Sequence, residues 1–220
     1  MKKSIWGLLV VLVALLGCTG VSLAKDEEQV QMTMAPSFFL LDQNKLEQLN
    51  EIVSATEFDS FGQKVFPGIS INTIVQMPGK DLLLGTNTQI AGAISKASNG
   101  QILTFVAVGI TFSLEKPVQL AQGLTARYGG SFGYGISSLG AQFREDRSLG
   151  EQLGEANYSQ AYEMYLLAGA KASLNYAITE KIALTSEAQY LLPLGSWGTK
   201  DFNLPLSGPN ITVGVSFLLP

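Results

Sequence analysis

The chain has 220 residues, 46% of them hydrophobic and only 15% charged, with one Cys and no His. That length holds one domain, or one domain behind a targeting signal, and 14 Lys and Arg against 18 Asp and Glu leave −4, the wrong sign for a protein that tracks phosphates, so nucleic acid is set aside. The missing His rules out Ser-His-Asp, Cys-His and His-metal sites, and no other catalytic, metal or cofactor constellation takes their place.

Lys2 and Lys3 precede an apolar run from Ile5 to Leu16, and small residues then lead to Ser22-Leu23-Ala24 and the acidic Lys25-Asp26-Glu27-Glu28. This is the pattern of a secretory signal peptide over residues 1–24. Twelve apolar residues would rise only about 18 Å in a helix, short of the roughly 30 Å hydrocarbon core. Leu15-Leu16-Gly17-Cys18 offers a second site, a lipobox with cleavage before a lipidated Cys18. Cleavage after Ala24 removes two Lys and no acid, taking the net charge from −4 to −6.

Beyond residue 25 no stretch reaches the length of a membrane-spanning helix, and the apolar residues fall into alternation instead. Residues 30–41 form the least regular predicted strand, with Val30, Met32 and Met34 against Gln31, Thr33 and Ala35, and Pro36 inside it. Residues 42–56 read as a short amphipathic helix, capped by Asp42 and carrying Leu46, Leu49, Ile52 and Val53 on one face, within a connection spanning 42–68. Residues 69–77 and 81–96 pair across Pro78-Gly79-Lys80, with Asn72, Gln76, Asn87 and Gln89 on the polar side. Residues 102–114 follow, and Glu115-Lys116-Pro117 is expected to turn the chain into 120–137. In residues 162–178, Tyr162, Met164 and Leu166 begin an apolar face opposed by Glu163, Tyr165, Lys171 and Ser173. Thr179-Glu180-Lys181 then makes a tight hairpin into 182–192, and 211–219 closes the series. The fold class is therefore all-β: a closed antiparallel up-and-down barrel of about eight strands with one short helix in a connection.

Short connections alternate with long ones, and charge sits on the face opposite the apolar set, whereas a soluble barrel would carry charge outside and fill its interior with apolar side chains. Tyr128, Tyr134, Tyr162, Tyr176, Tyr190 and Phe217 fall on the apolar face, as aromatic girdles would. On these features residues 29–220 resemble the small bacterial outer-membrane β-barrels, the class of the OmpA transmembrane domain and the OmpX-type proteins, and residues 172–190 (ASLNYAITEKIALTSEAQY) are most like that group. The resemblance implies an outer-membrane location in the Gram-negative cell envelope, lipid and the barrel-assembly machinery as partners, and a porin-like or structural role without enzymatic activity. It also implies a terminal assembly signal, whose places Thr212, Gly214, Phe217 and Leu219 occupy; the chain departs from the family in ending Leu218-Leu219-Pro220 rather than on an aromatic residue.

The inward parity gathers Arg127, Glu163, Lys171 and Glu187 as a lumenal charged cluster. A three-residue turn places Ser173 opposite Glu187 with Lys171 on the diagonal. Such a cluster either fills a narrow barrel with mutually paired charge or forms a constriction that selects solutes. Arg144 and Arg147 in the longest connection, and Trp197 and Phe202 in the last, are candidates for contact with molecules outside the barrel or, for the aromatic pair, girdle anchors. Three roles stay open: a barrel acting through its outer loops or as a narrow channel; a soluble or lipid-anchored lipocalin-like barrel binding an apolar ligand; and a subunit of an envelope complex docked through the 42–56 helix.

Overall fold

The computed structural model describes residues 30–41, 43–54, 58–62, 64–96, 102–142, 160–198, 204–205 and 207–219. Eight antiparallel strands close in sequence order: β1 (Val30–Leu40), β2 (Val65–Gln76), β3 (Leu83–Lys96), β4 (Ile102–Ala121), β5 (Leu124–Gln142), β6 (Gln160–Ala177), β7 (Ile182–Gly198) and β8 (Gly208–Leu219), with β8 paired back to β1. Helix α1 (Gln43–Ser54) lies in the first long connection. Paired residues can be followed round the wall from Gln76 through Leu83, Glu115, Gly129, Lys171, Gln189, Asn210 and Phe39, and the walk returns to β2 at Phe66, ten residues along the strand. A shift of ten over eight strands, with a rise of about 3.3 Å per residue and a strand spacing of about 4.8 Å, sets a tilt of about 40°. Both ends of the barrel chain and all the tight turns share one end, called here the turn end; the long connections share the other.

Alternation decides which way each side chain points. Met34, Ile69, Phe112, Phe132, Leu166, Leu174, Leu192 and Val213 stand exposed on the outside, while Thr33, Asn72, Asn87, Ser113, Ser173 and Thr185 are buried inside. Tyr128, Tyr176 and Phe217 ring the outer wall near the turn end, and Tyr162 and Trp197 stand near the other, so the predicted girdle residues face outward. Tyr134 and Tyr190 also face outward but sit mid-strand.

Several boundaries differ from the sequence reading: β2 begins at Val65, inside the expected 42–68 connection, β5 runs on to Gln142 and β8 begins at Gly208, and two further differences bear on the interior. Glu115-Lys116-Pro117 is no turn: β4 runs on to Ala121, and the chain reverses at Gln122-Gly123, where Gly123 takes φ 74°. The last β3–β4 pair is Leu83 with Glu115, so at Pro117 the strand has passed its neighbour and a missing N–H on that side costs no ladder bond. β7 continues to Gly198, which places Trp197 on a strand opposite Met164 rather than in a loop. Pro36 is accommodated for a related reason. Pairing of β1 with β8 passes from Met34–Val215 to Ser37–Thr212 without Ala35 or Pro36, so the proline falls in an interruption of that ladder.

Inside, the barrel divides along its length. Toward the turn end the lining is polar. Toward the other end Phe39, Phe66, Leu103, Phe105, Leu139, Tyr165, Leu167 and Leu191 join into an apolar core. Helix α1 seats Leu46, Leu49 and Val53 in that core, with Ile52 packed against it, as the helical spacing predicts. Phe58 and Phe61 of the following segment add to it. Asn50 fastens helix to segment by accepting from the Phe61 N–H at 2.7 Å and donating to its carbonyl at 3.2 Å.

Candidate functional site

The polar half of the lumen is built round Lys171. Its Nζ lies 2.9 Å from Glu115 Oε1 and 3.0 Å from Glu187 Oε2, and all three side chains are buried. Register explains the reach. Glu115 on β4 and Lys171 on β6 are both paired to Gly129 on the intervening β5, and the residue between them has no side chain to stand in the way. A Cβ at Gly129 would meet the Leu114 carbonyl oxygen at 1.9 Å, so the close approach of β4 requires glycine there. On the other side Ser173 stands opposite Glu187 and Lys171 is on the diagonal, the arrangement expected from the tight hairpin.

The surrounding amides and hydroxyls complete the network. Asn72 Nδ2 donates to Glu187 Oε2 at 2.9 Å and Asn87 Nδ2 to Oε1 at 3.1 Å. Ser113 Oγ donates to Glu115 Oε1 at 2.6 Å. Arg127, nearer the turn end, lies 3.8 Å from Glu115 Oε2 through Nε, which also donates to Ser173 Oγ at 3.0 Å. Its terminal nitrogens donate to Gln31 Oε1 at 2.9 Å and Asn175 Oδ1 at 3.0 Å. Above this layer Gln89 and Gln189 bond across the lumen at 2.7 Å, and Gln189 donates to Ser131 at 3.0 Å. Two cations and two carboxylates thus neutralise one another in a layer that fills the barrel's width, as an eight-stranded interior allows.

Of the four lumenal charges read from sequence, the structure brings Arg127, Lys171 and Glu187 together and leaves Glu163 out. Glu163 is buried at the far end, where its carboxylate accepts the Leu204 N–H at 2.5 Å and ties the last long connection to the rim. Glu115, the residue that joins Arg127 to Lys171, was missed because a Glu-Lys-Pro run reads as a turn. Gln122-Gly123 between two alternating segments was the signal that would have found it. Thr212 and Gly214 face inward on β8 and Phe217 and Leu219 outward. The signal segment 1–24, Cys18, the Asp42 cap, Arg144, Arg147 and Phe202 lie outside the described residues.

Beyond the charged layer a cavity of about 390 Å³ opens at the turn end, with Arg127 and Asn175 in its wall. Toward the long connections the apolar core and α1 close the barrel. The helix spends its apolar face on that closure, so it is not a free docking face for an envelope partner. A lipocalin-like apolar ligand cavity is not what the interior shows either, because its apolar half is packed with the chain's own Phe66, Phe105, Leu49 and Val53 and its other half is lined by polar and charged side chains.

A closed, tilted eight-stranded barrel with an apolar girdled exterior and a paired polar interior is a transmembrane β-barrel of the bacterial outer-membrane kind. Solved structures agree on the fold. The chain is similar to Ail, the attachment invasion locus protein of Yersinia pestis, in complex with the heparin analogue sucrose octasulfate, with a TM-score of 0.56 and 9% identity over 88% of this chain and 99% of that one. It is similar also to a major outer membrane protein from Thermus thermophilus, with a TM-score of 0.51 and 10% identity over 87% and 99% of the two chains. No protein-family model and no curated protein matches the sequence.

Proposed function

We propose that this chain is a non-enzymatic, non-conducting outer-membrane barrel whose role is carried by what it displays at the end of the long connections. The observation that carries the reading is the doubly closed lumen. A buried layer of Glu115, Arg127, Lys171 and Glu187 fills the polar half, and an apolar plug anchored by Leu49 and Val53 fills the other. Buried side chains at both levels speak against the narrow-channel role left open by the sequence. The contacts would then be made by the long connections, with Arg144, Arg147 and Phe202 as residues to test and Trp197 as an outward-facing anchor. The segment 1–24 would direct export, with Cys18 as the lipidated residue under lipobox cleavage, and Thr212, Gly214, Phe217 and Leu219 would present β8 to the assembly machinery.

The test is conductance. Folded mature protein, verified by a heat-dependent shift in gel mobility, is inserted into planar bilayers in concentrated KCl. The expected record is silent for the wild type and for Lys171→Ala, because the apolar plug survives that change. Sustained stepwise currents from the wild type would overturn the reading.

A further inference from the structure

The cavity at the turn end has a chemistry of its own. Its volume of about 390 Å³ falls within the range of small-molecule sites, roughly 300–1,000 Å³, and it opens away from the charged layer. At its inner end lies Arg127, held in place by Ser173, Gln31 and Asn175. A guanidinium has five N–H donors in a planar fork. Those three acceptors take one each from Nε, Nη1 and Nη2, which leaves one N–H on each terminal nitrogen with no acceptor among the described residues. Nearer the mouth, Gln76 offers an amide, while Gln119 accepts from Thr125 at 2.9 Å and donates to the Ala121 carbonyl, keeping one N–H for a ligand; Ile74 and Leu83 give apolar wall, and Glu180 and Lys181 bring opposite charges to the rim. Glu115 gives Oε1 to Lys171, and its Oε2, which accepts no hydrogen bond among the described residues, lies 3.8 Å from Arg127 Nε, too far to take up the guanidinium as a bidentate partner.

We propose that this vestibule binds a carboxylate, received by the paired N–H groups of Arg127, either as a small organic acid or as the C-terminal end of a short peptide. The planar fork matches two carboxylate oxygens, and charge-assisted pairs of this kind are about twice as strong as neutral hydrogen bonds. The neighbouring Gln side chains can accept and donate as a peptide amide requires, and the apolar wall takes a small side chain. Glu115 and the Glu180–Lys181 pair temper the attraction, so binding is expected in about the millimolar range, near −4 kcal/mol at a Kd of 1 mM.

The test uses folded mature protein in detergent micelles, with side-chain nitrogen resonances of Arg127 and Asn175 followed by NMR. Sodium acetate, N-acetyl-alanyl-alanine and the C-terminal amide of that dipeptide are titrated separately. Saturable shifts with the dipeptide acid and weaker ones with acetate assign the site to peptide ends; equal shifts with both acids assign it to small organic acids. Arg127→Lys keeps the charge but loses the fork, and should weaken binding at least tenfold. Should that variant fail to show the heat-dependent mobility shift of a folded barrel, Gln119→Ala at the exposed mouth takes its place and should weaken the dipeptide relative to acetate. Shifts with neither acid, or equal shifts with the acid and the amide, overturn the proposal. The conductance test of the closed lumen is read independently of these spectra.

Discussion

Lys171 has two carboxylates within 3.0 Å and its side chain is fully buried, which makes it the residue whose loss is felt most at the scale of a single side chain. A buried ion pair is weak evidence of net stabilisation, but removing one partner leaves the others uncompensated and typically costs about 3–5 kcal/mol. Lys171→Met should therefore lower the unfolding free energy, read from urea curves of the folded barrel in detergent, by an amount in that range. Adding Glu187→Gln leaves Arg127 with Glu115 as a neutral pair and should restore more than half of the loss. The double variant is the informative one: additive losses in the unfolding curves would show that the layer is held by packing rather than by charge balance.

At the scale of elements, α1 shows why some of this molecule could be read in advance. Its apolar positions recur at helical spacing, and Leu46, Leu49, Ile52 and Val53 do turn to one side. What spacing cannot give is the surface they meet, because Phe105 and Tyr165 arrive from strands far away in sequence. Leu49 is fully buried in that contact, and Leu49→Ala should cost about 2–5 kcal/mol from lost transfer and residual cavity. The loss is expected to be local: protease cleavage between α1 and β2 should speed up while the barrel keeps its heat-dependent shift in gel mobility. A variant that loses mobility and plug together would show instead that the helix is needed for closure of the whole barrel. Strands were legible for the same reason as the helix, since Tyr162 to Ala177 declares its two faces residue by residue. The turn at Gln122-Gly123 was not, because Pro117 is a breaker only where a neighbouring strand needs its N–H, and neighbours are a property of the closed sheet. One misplaced turn hid Glu115, and with it the centre of the charged layer. The sequence also placed Glu163 on the correct face, and its eight-residue separation from Lys171 on the same strand, about 26 Å at about 3.3 Å per residue, is what keeps it out of the layer.

For the whole molecule, the deciding quantity is what lies outside the wall. Phe112 on β4 is exposed and stands opposite Phe132 on β5, both well away from the strand ends. In water such a pair is an exposed apolar patch, and replacing one member with a charge is neutral or favourable to solubility. In a bilayer the same position faces hydrocarbon, where Arg costs about 2–4 kcal/mol near the midplane and about 0–1 kcal/mol near the interfaces. Phe112→Arg should therefore destabilise the protein in lipid vesicles by about 2–4 kcal/mol, while Tyr162→Arg, close to the end of its strand, should cost about 1 kcal/mol or less. The contrast between the two sites carries the argument, since a general packing defect would not depend on depth. The exposed aromatic positions at the two ends, Tyr128 and Tyr176 at one and Tyr162 and Trp197 at the other, mark where that cost should fade. Equal penalties at Phe112 and Tyr162 in vesicles would mean that the apolar band does not span lipid, and the inward-facing charge would then need an explanation other than a membrane outside.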